Sequence, residues 1–212
     1  VAFAAAAAVL VTLDRAGAGP ASTPAARIAT LPAGGAPARE VARVRAEVAE
    51  RMPELAPGMR LALADVIVAE ARRAGLDPML VLAVIHVESS FDHDVTSSAG
   101  AVGLMQLLEP TMRRELQRNR LPAADPRDPV ANVRAGVRYL QRLVAAFRGD
   151  FDLALMAYNA GPNRILGHLR AGGVPERFHG YPRKVRAEAE RLRRTAEGQR
   201  IAELAALDGD AG

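Results

Sequence analysis

Cysteine is absent from the 212 residues, which excludes disulfides and thiolate metal sites. Tryptophan is absent too, and aromatics make up only 4%, so a core must come from aliphatic side chains. Half the residues are apolar, which is enough to build one. No sustained period-two alternation appears, so a sheet protein is disfavoured. No apolar run reaches the roughly 20 residues that span a bilayer. The four histidines, His86, His93, His168 and His179, form no HxxxH pair and no ligand cluster, so no metal site is expected. No Gly-Lys-Ser/Thr follows the one glycine-containing loop of interest, so it is not a phosphate loop. No cofactor is implied. Lysine is nearly missing as well: Lys184 stands alone.

What remains is rich in alanine, arginine and leucine, all good helix formers. The fold class read from this is mainly α. The net charge is +4 and the sequence pI near 10.2, which suits an acidic polymer, an anionic lipid surface or nucleic acid.

The chain divides by composition. Residues 1–18 open with thirteen apolar residues, Val1 to Leu13, followed by Ala16-Gly17-Ala18. This reads as a secretory leader or an uncleaved membrane anchor. Residues 19–37 have the Ala, Gly, Pro, Ser and Thr composition of a linker. Residues 38–56 read as an accessory helix, with Arg and Glu alternating around Val41, Val44 and Val48. The compact domain is read as 57–185, and 186–212 as a basic helical tail. From Arg183 to Arg200 that end holds seven positive charges against three glutamates, the pattern of a solvated helix.

Inside the domain, starts and stops are written locally. Gly75 ends a helix begun near Met59. Asp77-Pro78 and Asp128-Pro129 each open one, with Asp as cap and Pro at the first helical position. Pro110 opens another, to about Arg118. Asp150 caps a short apolar helix through Tyr158, which Asn159-Ala160-Gly161-Pro162 breaks. Pro182 starts the last helix.

One residue stands out chemically. Met79 to Val87 is apolar on nearly every side, so this helix is buried, and Glu88 ends it. Burial disfavours a charged carboxyl and raises its pKa, and a helix C-terminus opposes negative charge further. A carboxyl held protonated near neutral pH is the proton donor that a glycosidic leaving oxygen needs. Two further segments lie downstream: the loop Ser97-Ser98-Ala99-Gly100-Ala101-Val102-Gly103-Leu104-Met105-Gln106, and Ala157-Tyr158-Asn159-Ala160-Gly161-Pro162.

Taken together, Glu88-Ser89-Ser90-Phe91, Ser97 through Leu107, and Ala157 through Pro162 resemble the soluble lytic transglycosylase catalytic domain of the lysozyme-like superfamily. The segment from Asp128 to Leu140 is similar as well. The resemblance runs from about Met59 to Val185. It implies a lysozyme-like helical domain with a substrate groove, preceded by the short helical and linker extension. It implies that Glu88 is the acid/base, that Ser97, Met105 and Gln106 contact sugar, and that Tyr158 and Asn159 position the glutamate and the substrate. Two departures bear on the rim of the groove. Pro110-Thr111 puts a proline one place later than the family's Pro-x-Thr. Near the end, the tyrosine of Gly180-Tyr181-Pro182 is displaced by one and the family's Glu-Thr is missing, which leaves Tyr181 the weaker site candidate.

The implied activity is cleavage of the β-1,4 bond between N-acetylmuramic acid and N-acetylglucosamine in peptidoglycan, leaving a 1,6-anhydro ring. Most glycosidases need two carboxylates; here only Glu88 is placed by a motif, since Asp92 and Asp94 fall in a loop. The substrate's own acetamido group then has to assist. The alternatives are a muramidase that hydrolyses the same bond and a wall-binding module without turnover. The expected partners are glycan strands and secretion or cell-wall machinery, with membrane association through the N-terminus and no nucleic acid. The expected setting is a monomer exported to the periplasm or cell envelope.

Overall fold

The structure, a computed structural model, describes residues 37–209. The leader and all but the last residue of the linker expected from the sequence lie outside them. Eight α-helices occur among the described residues, with one minimal hairpin. In chain order they are α1 Pro37–Arg51, α2 Pro57–Ala74, α3 Pro78–Ser89, β1 Ala101–Val102, β2 Leu107–Leu108, α4 Glu109–Arg118, α5 Pro129–Ala146, α6 Phe151–Ala160, α7 Pro162–Arg170 and α8 Gly180–Gly209. A single 3-10 turn at Glu176–Phe178 precedes α8. The mainly α reading is what the chain adopts. No described helix is long and apolar enough to cross a membrane.

Most of the locally written boundaries hold. Asp77 accepts a hydrogen bond from the Met79 N–H, Asp128 from Ala131 and Asp150 from Leu153, each satisfying a donor that the helix start leaves free. Gly75 closes α2 at φ 70°, a conformation glycine takes without a steric penalty. Three details differ from expectation. The helix expected to stop at Tyr158 runs on to Ala160, so Asn159 is in its last turn and the break falls at Gly161. The last helix begins at Gly180, ahead of Pro182. The loop after Glu88 contains β1 and β2, paired antiparallel with Ala101 opposite Leu108 and Val102 opposite Leu107; two-residue strands are too short to show a period.

Helix α3 is the axis of the fold. Pro78 to Ile85 are all buried, and α1, α2 and α8 pack around them. Val44 and Val48 of α1, and Met52 just after it, are fully buried in the same core as α3 and α5. On α8 the stripe Val185, Ala189, Leu192 is buried as well. Arg193 donates from Nε to Asp77 at 2.8 Å, joining α8 to the start of α3.

Candidate active site

Glu88 is 7% exposed in the last turn of α3. Immediately after it the chain reverses through two consecutive left-handed residues, Ser90 at φ 54° and Phe91 at φ 69°. Such angles are uncommon for residues other than glycine. The turn is held in place because the Phe91 ring is buried and the Arg51 guanidinium lies 5.1 Å over it. Ser89 is fixed by its hydroxyl, whose one proton is shared between the carbonyls of Ile85 and Leu104 at 3.1 and 3.0 Å.

Three glutamates are buried in this domain, and their partners differ. Glu70 accepts hydrogen bonds from Arg73 and Arg138 at 2.7–2.9 Å. Burial alone would raise its pKa, but the two guanidinium groups outweigh that and hold it below the usual carboxylate value. Glu115 accepts from Arg142 Nε at 2.9 Å and from Nη2 at 2.5 Å. Glu88 has no ion-pair partner among the described residues. Its one hydrogen-bond partner is the Tyr181 hydroxyl, which donates to Oε1 at 2.5 Å. Burial pushes the Glu88 carboxyl up to about 7, and the Tyr181 hydrogen bond pulls the other way without cancelling it. The Glu88 carboxyl therefore changes protonation state near neutral pH, while Glu70 is a charged structural tie.

A cavity of about 730 Å³ opens beside Glu88. Asn159 and Tyr181 line it with Glu88, and most of the remaining wall comes from α8. The structure thus brings together Glu88, Asn159 and Tyr181, which lie on three different helices. The tyrosine that looked displaced in sequence is the one that reaches the glutamate.

The other expected site residues sit behind this constellation. The Tyr158 hydroxyl donates to the Met105 carbonyl at 2.7 Å, so it does not hold Glu88. Its ring packs on Tyr139, centroids 5.3 Å apart. Burial, and then the nearby Glu88 charge, keep its hydroxyl protonated far above neutral pH. The Met105 side chain is fully buried and touches Gly136; it presents no surface to a sugar, and only its backbone is engaged. Gln106 adopts φ 45°, and its amide donates to the carbonyls of Val95 and Gly103 at 3.2 and 3.0 Å. Ser97 accepts the Ala101 N–H at 3.0 Å through Oγ and keeps its own proton free to donate. None of these four lines the cavity beside Glu88.

Asn132 was not singled out by sequence and is central to the loop. It is fully buried on α5. Its oxygen accepts the Met105 N–H at 2.8 Å, and its nitrogen donates to the carbonyls of Val102 and Pro126 at 3.0 and 2.8 Å. A lone amide in an apolar stripe with Val133 and Val137 was the available signal. Glu188 and Lys184, also missed, line the cavity from α8. Their spacing from Tyr181, at three and seven residues, places all three on one helix face.

The fold is similar to that of solved lytic transglycosylases. The Pseudomonas aeruginosa lytic transglycosylase Slt, solved as an inactive mutant, matches at 26% identity and a TM-score of 0.57, over 74% of this chain and 30% of that one. The 70-kDa soluble lytic transglycosylase of Escherichia coli matches at 21% identity and a TM-score of 0.57, over 76% and 31%. A complex of the 70-kDa soluble lytic transglycosylase with bulgecin A matches at 20% and 0.58, over 78% and 31%. The present chain thus spans about a third of the length of these enzymes. The model of the transglycosylase SLT domain matches residues 65–175, more than half of the sequence, and the chain belongs to that family.

Proposed function

We propose that this protein is a peptidoglycan lytic transglycosylase, cleaving the β-1,4 bond between N-acetylmuramic acid and N-acetylglucosamine and leaving 1,6-anhydromuramic ends. Family membership supports the reaction class. The observation that carries the mechanism is the Glu88 carboxyl, buried, unpaired with any cation and titrating near 7. Glu88 protonates the leaving glycosidic oxygen. The acetamido oxygen of the muramic residue stabilises the positive anomeric centre, in the manner of substrate-assisted glycosidases. Glu88, now a carboxylate, then accepts the proton of the same sugar's 6-hydroxyl as that oxygen bonds to the anomeric carbon. Attack within one sugar needs no ordered water and gains from proximity.

The other carboxylate lining the cavity does not compete for this part. Glu188 is bound to Arg191 at 2.6–2.8 Å and to His86 Nδ1 at 2.5 Å. Burial opposes its charge, but these partners prevail and hold its pKa low. Asn159, on the cavity wall, holds the acetamido group, and Tyr181 positions Glu88. The proposed substrate implies a setting outside the cytoplasm, in the cell envelope, and the leader-like composition of residues 1–18 supports that reading.

The test is mass spectrometry of products from purified peptidoglycan, with wild type and Glu88→Gln side by side. Wild type is expected to release products lighter by one water than hydrolytic ones and lacking a reducing end. The Gln variant, nearly isosteric but without an acidic proton, is expected to fold normally and lose at least a thousandfold in rate. Reducing products from wild type would make it a hydrolase; an active, well-folded Gln variant would remove Glu88 from the mechanism.

A further inference from the structure

The family match begins at residue 65, inside α2, and leaves α1 out. Yet α1 packs on both α2 and α3, and its last residue meets the turn that follows Glu88. Arg51 is held by Glu47, one helical turn earlier, whose Oε2 accepts the Arg51 Nε–H at 2.9 Å. Their side chains are only 22% and 16% exposed, so this pair keeps its geometry better than one free in solvent. Anchored in this way, the guanidinium lies 5.1 Å over the Phe91 ring, within cation–π range.

What this contact restrains is a costly turn. Ser90 and Phe91 are both left-handed, at φ 54° and 69°, and neither is glycine. Such backbone persists only where its surroundings over-determine it. The buried Phe91 ring is what those surroundings grip. One side of the grip is α1. The other is α8: the His86 ring lies 6.1 Å from Phe91 and is tied to Glu188, which binds Arg191. Arg191 is in turn close enough to Glu47 and Glu50 of α1 to feel their charge. Helices α1 and α8 therefore meet around the end of α3. If the turn relaxes, the last turn of α3 frays, and Glu88 lies in it.

Arg51 does not act on Glu88 as a charge. The influences on that carboxyl are burial and the Tyr181 hydroxyl of α8. The other ionisable groups around it are Tyr158 on α6, and His86, Arg177, Lys184 and Glu188 on the cavity wall. We infer that Arg51 is a positioning residue for Glu88, acting through the Phe91 ring, and that α1 belongs to the catalytic unit although it precedes the matched domain. This role rests on Glu88 being the acid/base and adds a residue to its support.

The two ways Arg51 could act have opposite signs. Removing a nearby cation raises the pKa of a carboxyl. Loosening the turn instead lets water reach Glu88. The carboxyl then loses its burial, which raises the pKa, and its Tyr181 bond, which lowers it. Burial is the larger of the two, so the pKa falls from about 7.

The experiment follows the Glu88 carboxyl by 13C NMR in protein labelled at glutamate, its signal identified by its loss in Glu88→Gln. Arg51→Met keeps an apolar stem of similar length without the cation. Its Glu88 titration is expected at least about half a pH unit below that of wild type. An unshifted or upward titration in the folded variant overturns the inference. Glu47→Ala leaves Arg51 in place but frees its guanidinium, and is expected to shift Glu88 in the same direction; no shift there overturns the inference as well. Kinetics on soluble glycan strands supply the second arm. In Arg51→Met, kcat is expected to fall about tenfold with KM unchanged within about twofold. Arg51→Lys, which returns a cation to the ring, is expected to recover about threefold of that loss. A Lys variant as slow as the Met variant, or a loss confined to KM, overturns the inference. The titration needs no turnover, so if wild type releases no anhydro products it still decides whether Arg51 seats the carboxyl.

Discussion

Glu70, Glu88 and Glu115 are all buried, so burial by itself does not pick out the reacting group. The partner does. An arginine restores the charge that burial opposes, and a tyrosine hydroxyl restores it only in part. This makes Tyr181 a lever on Glu88. Its hydrogen bond favours the carboxylate, so Tyr181→Phe removes a stabilisation of the charged form and moves the Glu88 pKa further up from about 7. A hydrogen bond to a charged group is worth about 1.5–3 kcal/mol, or about 1–2 pH units. The expected outcome is an alkaline limb of the kcat profile shifted upward by that amount, with a lower plateau because the carboxylate is less well oriented. An unshifted limb would mean that the bond is not maintained during turnover. Sequence reading found Glu88 from its place at the end of an apolar helix, together with the resemblance of the segments around it, although the burial that raises its pKa is completed by helices far away in the chain. It undervalued Tyr181 because the two residues are 93 positions apart, and a one-residue displacement in the motif says nothing about where a helix face will point.

At the scale of elements, the loop from Phe91 to Gln106 is held by α5 as much as by itself. The Asn132 side chain makes all three of its hydrogen bonds to backbone groups, two of them within the loop at Val102 and Met105. Gly136, one turn on, leaves the space that the Met105 side chain fills; a Cβ there would meet the Met105 Cβ at 2.8 Å. A Cβ on Gly103, at φ 79°, would meet the Asn132 amide nitrogen at 2.6 Å. Asn132→Ala leaves the Met105 N–H buried without an acceptor and frees two carbonyls. It is expected to lower stability by about 2–4 kcal/mol in urea unfolding. Activity should fall in the residual folded protein, because the Tyr158 hydroxyl bonds the Met105 carbonyl. A loss under about 0.5 kcal/mol would mean that the loop holds its own shape. This explains which elements could be read in advance. Asp77, Asp128, Asp150 and Gly75 act within three residues and announce themselves. Met105 looks like a loop residue available to substrate until α5 is placed beneath it, and the sequence has no local mark for that.

For the molecule as a whole, the question is whether α8 belongs to the enzyme or is attached to it. The family match excludes it, and by composition its far end reads as a solvated tail. The packing points the other way. Its contacts run along α3 from Tyr181 on Glu88, through Glu188 on His86, to Arg193 on Asp77. Between these polar ties Val185 and Leu192 are fully buried in the common core. Val185, Ala189 and Leu192 have the spacing of one helix face, but the sequence does not mark their partner, because α3 is apolar all round and offers any helix a surface. Leu192→Ala tests the integration. If α8 is part of the cooperative unit, the variant should lose about 2–5 kcal/mol, as a core leucine does. It should still unfold in one transition with an unchanged urea m-value. Leu82→Ala on α3, equally buried, is the internal standard and should lose a similar amount. A loss below about 1 kcal/mol for Leu192→Ala beside a full loss for Leu82→Ala, or an early separate transition, would make α8 an appendage. The Tyr181 hydrogen bond would then be a contact that opens without unfolding the domain. A full loss would instead mean that the helix supplying the tyrosine and much of the cavity wall is as firmly built as the helix carrying Glu88, and that the active site requires residues beyond the matched segment in order to fold.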